Sequence, residues 1–340
     1  MYKLAYIIPT KDSAEFMDAC LNAMKLSFLK LNTCVYVLDA SEDDATLHVC
    51  EKHKSDGITY EHLLGASLSY RFFRALNNIE AEYICIGKDN HFPTYEGAQA
   101  VMKLLDKGYD MLELTWRDRK HIGEKEYHGI AGICRDCAWD ATLYGTVFLK
   151  KAAYKPASYE QFCEVYGENI FYYLIYYYNY PVSPGSFRSF YCKSTWPYGS
   201  MPAYLLEIRE KRGGSSWRNR KDIFEVWGKD WIQAVNFFEP LSPDEKKQVI
   251  LDHGVYALGL SRAWKWADLR IAGLFDYGIY KKYRDELLQI STINSGVICA
   301  ISVTPVFILR VYVFMADDVP VFVRRCLRKV KSLLSKLFTA

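Results

Sequence analysis

LAYIIPTKDS (residues 4–13) is an apolar run that stops at a proline and a polar turn, and this figure returns three times within the first 92 residues. Residues 34–38 (CVYVL) end at Asp39 and the acidic turn SEDD at 41–44. Residues 58–63 form a third run. Residues 83–86 (YICI) form a fourth, closed by GKDN at 87–90. Strand, polar turn, helix, strand is the sequence form of parallel βαβ units. An open parallel sheet takes its ligand outside the carboxyl ends of its strands. Thr10, Asp12, Asp39 and Asp89 all fall there, so the chain sets acids, not glycines, around the ligand. No G-x-G-x-x-G follows the first strand and no G-x-x-x-x-G-K-[ST] occurs anywhere, which argues against a dinucleotide dehydrogenase and a P-loop NTPase.

The chain of 340 residues has room for one large domain or two smaller ones, and half of it is apolar. Its 27 Tyr and 8 Trp are a rich aromatic supply. Aromatic faces line sugar and nucleobase sites, and they also simply fill cores. A net charge of +3 gives no global field for nucleic acid, so none is expected as a partner. Ten cysteines lie at irregular spacing with no secretory leader ahead of the first strand, which reads as a reduced, cytoplasmic setting. Cys134 and Cys137 form a C-x-x-C pair, but zinc needs a second pair or histidines at ligand spacing, and none is visible.

Further along, residues 109–116 (YDMLELTW) and 143–149 (LYGTVFL) read as strands, with a Gly break in the second. Residues 120–138 are rich in Gly and charge and read as a loop. Residues 161–178 carry a helical pattern after the turn at Tyr166-Gly167, and residues 181–185 end it. RGGSS at 212–216 is the best linker, placing an N-terminal α/β domain at 1–215 and a mainly helical region at 216–340. Helix-type spacing runs through 222–238, 243–263 and 281–288, and Ser242-Pro243-Asp244-Glu245 is a strong helix start. Residues 295–316 are apolar for long enough to span a bilayer, but Pro305 and Arg310 favour a buried or interfacial helix pair. In the final segment Val323, Leu327, Val330, Leu334 and Leu337 form one apolar stripe beside six Lys and Arg with no acid. That is the pattern of a helix lying on an anionic membrane surface; the alternative is a solvated helix packed on its own domain.

In five pieces the chain resembles family 2 glycosyltransferases. LAYIIPTKDS is similar to their opening strand, VLDASEDDAT to their second strand and acidic turn, and EYICIGKDNHF to the strand carrying their D-x-D element. GTVFLKKAAY is similar to their acceptor-side strand, and YGENIFYYLIYYYNYPV to their Glu-Asp helix start with its return to a strand. The five stand in family order over residues 4–182, about half the chain. The resemblance implies a GT-A-like fold, a mostly parallel, Rossmann-like central sheet with a C-terminal helical region. It also implies a nucleotide-sugar donor, a UDP-sugar first of all, whose diphosphate binds through Mg²⁺ or Mn²⁺. By position, Pro9, Thr10 and Asp12 would flank the nucleoside, Asp39 would accept from the base or ribose, and Asp89, with His91, would hold the metal. Arg71 and Arg74 share one helix face and would reach the donor.

Three positions depart from the family. Ala40 stands in the place of a second acid, Gly87 in that of the first D-x-D acid, and Asn169 in that of the usual catalytic Asp. A lone carboxylate with Asn or His can still help hold a hydrated cation; Lys88 or an arginine carrying the diphosphate charge is the alternative. An inverting transfer needs a carboxylate within hydrogen-bond reach of the acceptor hydroxyl. Glu168 is the first candidate and Asp140 the second. Trp196 and Tyr198, in STWPYGS, would stack on acceptor sugars or pin the loop. The implied protein is a peripheral enzyme of the inner membrane face, moving a sugar to a glycan, lipid-linked acceptor during surface-polysaccharide assembly. The alternatives are a non-catalytic nucleotide-sugar-binding partner and a sugar nucleotidyltransferase.

Overall fold

The computed structural model describes residues 1–54, 57–115, 123–193, 195–211 and 221–318. The four apolar runs at the head of the chain are strands β1 (Tyr2–Thr10), β2 (Thr33–Asp39), β3 (Ile58–His62) and β4 (Ala81–Ile86). Helices α1 (Ala14–Leu26), α2 (Ala45–Lys52) and α3 (Leu68–Asn78) alternate with them. Then come α4 (Tyr95–Leu105), β5 (Met111–Leu114), β6 (Lys125–His128), α5 (Ile130–Cys137), β7 (Val147–Lys150), α6 (Tyr159–Tyr166), α7 (Tyr172–Asn179), β8 (Arg188–Cys192) and α8 (Ala203–Lys211). The strands form one eight-stranded sheet in the order β3-β2-β1-β4-β7-β5-β8-β6. Only β7 and β6 run against the rest. The α/β class and the mostly parallel central sheet are as expected.

The reason lies in burial. A parallel sheet is covered on both faces, so its strands read as unbroken apolar runs. In β1, Leu4 through Ile8 are all buried, and the Leu4-Tyr6-Ile8 face packs on Met17, Cys20, Leu21 and Met24 of α1. Those four recur at helical spacing, which is what makes α1 amphipathic. Ser67, Thr94 and Ser158 cap α3, α4 and α6 with side-chain oxygens that accept from the backbone three residues on.

Several expectations are corrected. Residues 120–138 are not simply a loop: they include β6 and α5, where Ile130, Ile133, Cys134 and Cys137 turn inward at helical spacing behind a charged face. The strand expected at 143–149 shortens to β7, because Gly145 sits at φ +78 just ahead of it. The helix expected at 161–178 is two helices, broken where Gly167 takes φ +69. Trp116 and the linker at 212–216 lie outside the described residues.

By contact the chain divides into two units, residues 1–214 with 233–249, and residues 215–232 with 250–340. The further α-helices of the described residues are α9 (Trp231–Asn236), α10 (Pro243–Asp252), α11 (Ala263–Ile271), α12 (Tyr277–Lys282), α13 (Arg284–Gln289), α14 (Ser295–Val303) and α15 (Val306–Val313), with π-helical turns at Glu225–Asp230, His253–Ala257 and Phe314–Asp318. Ser242 opens α10 through a reciprocal capping box: its Oγ accepts from the Glu245 N–H at 3.4 Å, and its own N–H donates to Glu245 Oε2 at 2.9 Å. Pro305 divides the long apolar segment into α14 and α15, and among the described residues no helix is long and apolar enough to cross a membrane. The basic stripe at 323–340 lies outside the described residues.

Candidate functional site at the carboxyl ends of the strands

Because β2, β1 and β4 run parallel, their final residues share one edge; Thr10 pairs with Asp39, and Gly87 follows the last residue of β4. A latch holds the first two ends together. Asp12 takes φ +52, a left-handed conformation that Asp tolerates, and donates its N–H to Ser41 Oγ at 2.8 Å. Ser41 in turn donates its N–H and Oγ to Asp39 Oδ1, at 3.0 and 2.5 Å. Tyr60 donates to Asp39 Oδ2 at 3.0 Å. Asp39 is fully buried with both oxygens engaged, so the structure gives it a scaffold place rather than an open edge for a base. Asp12 lines a recess of about 380 Å³ with Ser13, Ala14, Asp43 and Thr46, between the β1 and β2 turns, and Pro9 is half-buried beside it in sequence.

Arg71 is buried under this edge. Its Nη1 donates to the carbonyls of Thr10 at 2.6 Å and Leu38 at 3.0 Å, tying β1 to β2. Burial lowers its pKa, while Tyr172, Asp39 and Tyr144 nearby favour the charged form. The guanidinium therefore stays cationic and fixes positive charge beneath the strand ends. Arg74 takes a different path: it pairs with Glu61 on the rim and is not brought to the edge.

At the end of β4, Asp89 Oδ2 accepts from Thr10 Oγ1 at 3.1 Å, so the β1 and β4 turns are joined through side chains. Burial raises the Asp89 pKa, and hydrogen bonds from Thr10 and Ser13 oppose the rise. Lys88 is exposed to water, yet desolvation by surrounding protein lowers its ammonium pKa. Its Nζ lies 5.4 Å from the centre of the Tyr144 ring; the nearby Asp89 carboxylate favours its charged form, and among the described residues no carboxylate lies within ion-pair distance of it.

His91 belongs to a relay. Its Nδ1 lies 2.9 Å from Tyr6 Oη, which lies 2.8 Å from Tyr198 Oη, which donates to the Gly145 carbonyl at 2.8 Å. Each hydroxyl has one proton. Tyr198 gives its proton to Gly145, so Tyr6 must donate to Tyr198 and His91 Nδ1–H to Tyr6. The relay fixes the neutral tautomer with a bare Nε2. Burial, helped by Lys88, pushes the imidazole pKa down to about 3. His91 is accordingly expected to show Nδ1-protonated ¹⁵N shifts without titrating from pH 5 to 8. The sign is set by the unfolded value of about 6.5: the unfolded chain binds the extra proton first, so this stability is full above pH 6.5 and is lost as pH falls towards 3. A His91 transition near pH 6.5 would contradict the relay.

Gly87 is where the resemblance to family 2 glycosyltransferases would put the first acid of a D-x-D element. A Cβ there would overlap the Tyr6 ring. Tyr6, Gly87 and His91 are thus one packed arrangement, and Gly145 (φ +78) leaves room for the His91 ring and the Tyr198 hydroxyl in the same way. Mg²⁺ and Mn²⁺ want several hard ligands. Asp89 offers one carboxylate already tied to Thr10, and His91 one nitrogen. Among the described residues no group of three His, Cys, Asp or Glu is placed to hold a metal. These residues do not fit a cation held by the protein alone.

Glu168 lines a second recess, of about 260 Å³, with the first turn of α3 (Ser67, Leu68, Ser69) and with Asn169, Ile170 and Tyr172. It is exposed, and Tyr159 donates to its Oε1. Asn169 is buried and accepts from the Phe171 N–H at 2.7 Å, shaping the turn that presents Glu168. Asp140 is fully buried, accepting from Tyr191 at 2.9 Å, and so is not placed to meet an acceptor hydroxyl. Tyr198 is also buried, with Trp196 edge-on to it at 5.1 Å. Their loop is pinned by Thr94 N–H to Pro197 O (2.9 Å) and Gly199 N–H to Phe92 O (2.8 Å), which favours the pinning role over stacking on sugar.

Sequence reading missed Tyr6 and Gly145. A signal for Tyr6 exists: a tyrosine inside a fully apolar strand must find a partner for its hydroxyl. The sequence matches no protein-family model and no curated protein. Among solved structures, the chain is similar to S. aureus TarS residues 1–349 in complex with UDP-GlcNAc, at 15% identity, TM-score 0.48, over 88% of this chain and 90% of that one. It is similar to the mannosyltransferase PcManGT from Pyrobaculum calidifontis in complex with GDP-Man and Mn²⁺, at 16% identity, TM-score 0.47, over 89% and 87%. It is more distantly similar to glucosyl-3-phosphoglycerate synthase from Mycobacterium tuberculosis with Mn²⁺ and UDP-glucose, at 10% identity, TM-score 0.36, over 62% and 76%.

Proposed function

We propose that this chain is a glycosyltransferase that moves one sugar from a nucleotide-sugar donor, a UDP-sugar first of all, to a glycan acceptor with inversion. The observation that carries the reading is the joining of the β1 and β4 ends by Thr10 and Asp89, with Lys88 and Arg71 supplying positive charge at the same edge. That edge is where an open α/β sheet binds its ligand, and a diphosphate leaving group needs positive charge. The recess beside Asp12 suits the nucleoside; the recess beside Glu168 suits the acceptor. Purified protein incubated with a panel of UDP- and GDP-sugars and glycan acceptors tests this by release of nucleoside diphosphate. No stabilisation by any of the nucleotide sugars, and no release, would sink it. Stabilisation without turnover would instead identify a non-catalytic binding partner, a reading that the replacement of the family's Asp by Asn169 favours.

The acceptor we infer is lipid-linked, and the enzyme sits on the inner, anionic membrane face. Phe307, Val311, Phe314 and Met315 are 55–70% exposed and recur at helical spacing along α15 and the turn after it, while Leu309 faces inward. The basic stripe at 323–340 follows directly in sequence. Each Lys or Arg near an anionic surface contributes about 1 kcal/mol. Co-sedimentation with phosphatidylserine vesicles is expected at low salt and should fade as salt rises. Indifference to such vesicles at low salt would refute the membrane placement.

A further inference from the structure

We propose that Lys88 is the fixed cation that receives the donor's diphosphate, in place of a metal ion held by the protein; this rests on the nucleotide-sugar reading. Three observations converge. First, the position that would complete a pair of metal-binding acids cannot carry one in this packing. The Tyr6 ring fills the space beyond the Gly87 Cα, and its hydroxyl is hydrogen-bonded to both His91 and Tyr198. Second, the remaining acid is committed: Asp89 accepts from Thr10 and serves the turn. Third, between these two positions stands a lysine with a free ammonium. It is exposed, feels the Asp89 carboxylate only beyond ion-pair distance, and lies against the Tyr144 ring at 5.4 Å. Tyr144 packs on Tyr173 at 5.1 Å, and Tyr173 on Tyr172 at 5.4 Å, which continues the same aromatic wall to the Glu168 recess.

The chemistry follows from this placement. Desolvation of the ammonium strengthens its attraction for an anion that enters and excludes water. An ammonium is a compact point charge with three donors, suited to the oxygens of a pyrophosphate. As the sugar–phosphate bond breaks, negative charge grows on the departing diphosphate, and a cation already in place needs no reorganisation to meet it. Arg71, largely buried below the same edge, adds background positive potential.

Affinities of UDP, GDP, ADP and dTDP, and of the matching nucleosides, are measured by calorimetry on full-length protein with excess chelator and with Mn²⁺. For wild type, one diphosphate is expected to bind in chelator. Lys88→Met keeps the stem on Tyr144 and should weaken that diphosphate about 10- to 100-fold, the range for a charge-assisted contact. It should leave the nucleoside unmoved, whereas a merely structural loss would weaken both. Lys88→Arg should recover most of the affinity. The proposal is overturned, with the glycosyltransferase reading intact, if wild type binds a diphosphate only with Mn²⁺. It is overturned equally if Lys88→Met binds the diphosphate in chelator as tightly as wild type. Failure of all four diphosphates in both conditions overturns both readings together.

Discussion

On the glycosyltransferase reading we propose, Glu168→Gln protein is expected to bind the nucleotide sugar with wild-type affinity and to transfer sugar about 10²–10⁴-fold more slowly, the usual cost of losing a general base. The substitution keeps the size of the side chain and its contact with Tyr159, and it removes only the capacity to take a proton. Glu168 suits the role because of how the chain presents it. Gly167 breaks the helix at φ +69, Asn169 folds the following turn, and the carboxylate is left exposed on the rim of a recess. Its Oε2 has no partner among the described residues, so one oxygen is available to an acceptor hydroxyl. Donor affinity measured beside turnover separates this role from a structural one. Asp140→Asn is the control: buried against Tyr191, it should lower stability rather than act on the chemical step alone. Normal turnover in Glu168→Gln would remove Glu168 from the mechanism.

How much of this was legible in the sequence depends on which force set each feature. The parallel βαβ units were, because burial on both faces leaves an unbroken apolar run and each run ends in a polar turn. The clustering of Thr10, Asp12 and Asp89 was also legible, since parallel strands bring their ends to one edge. What the sequence did not disclose were choices among neighbours in space. Asp39 looked like a ligand-facing acid, but Ser41 and Tyr60 claim both its oxygens. Arg71 and Arg74 share a helix and read alike, yet one is buried against two strand-end carbonyls and the other pairs with Glu61 on the rim. Helix α5 was hidden by its charges and glycines, although its buried positions keep a helical period. Gly87 read as a missing acid, a deficit; in three dimensions it is the space that Tyr6 occupies.

Gly87→Asp is therefore expected to damage the fold and to restore no metal site. At a glycine with ordinary backbone angles, substitution by Ala normally stabilises by about 0.4–1 kcal/mol, because the unfolded chain loses freedom. Gly87 is absent from the positive-φ residues, so its backbone alone would allow that gain. The sign should nonetheless reverse. The contact is with an aromatic ring that is itself fully buried and bonded to His91 and Tyr198, so it is not a flexible chain end that can step aside. Overpacking of this kind typically costs about 1–3 kcal/mol, and Asp adds a carboxylate pressed against an apolar ring. Urea denaturation of Gly87→Ala gives the steric part alone, and Gly87→Asp should fall further. The same cycle with Tyr6→Leu locates the cause. If the ring is the obstacle, Gly87→Ala should cost clearly less in the Tyr6→Leu background, with a coupling of about 0.5–3 kcal/mol. Additive effects would mean that Tyr6 and Gly87 are independent, and the absence of an acid at 87 would need another cause.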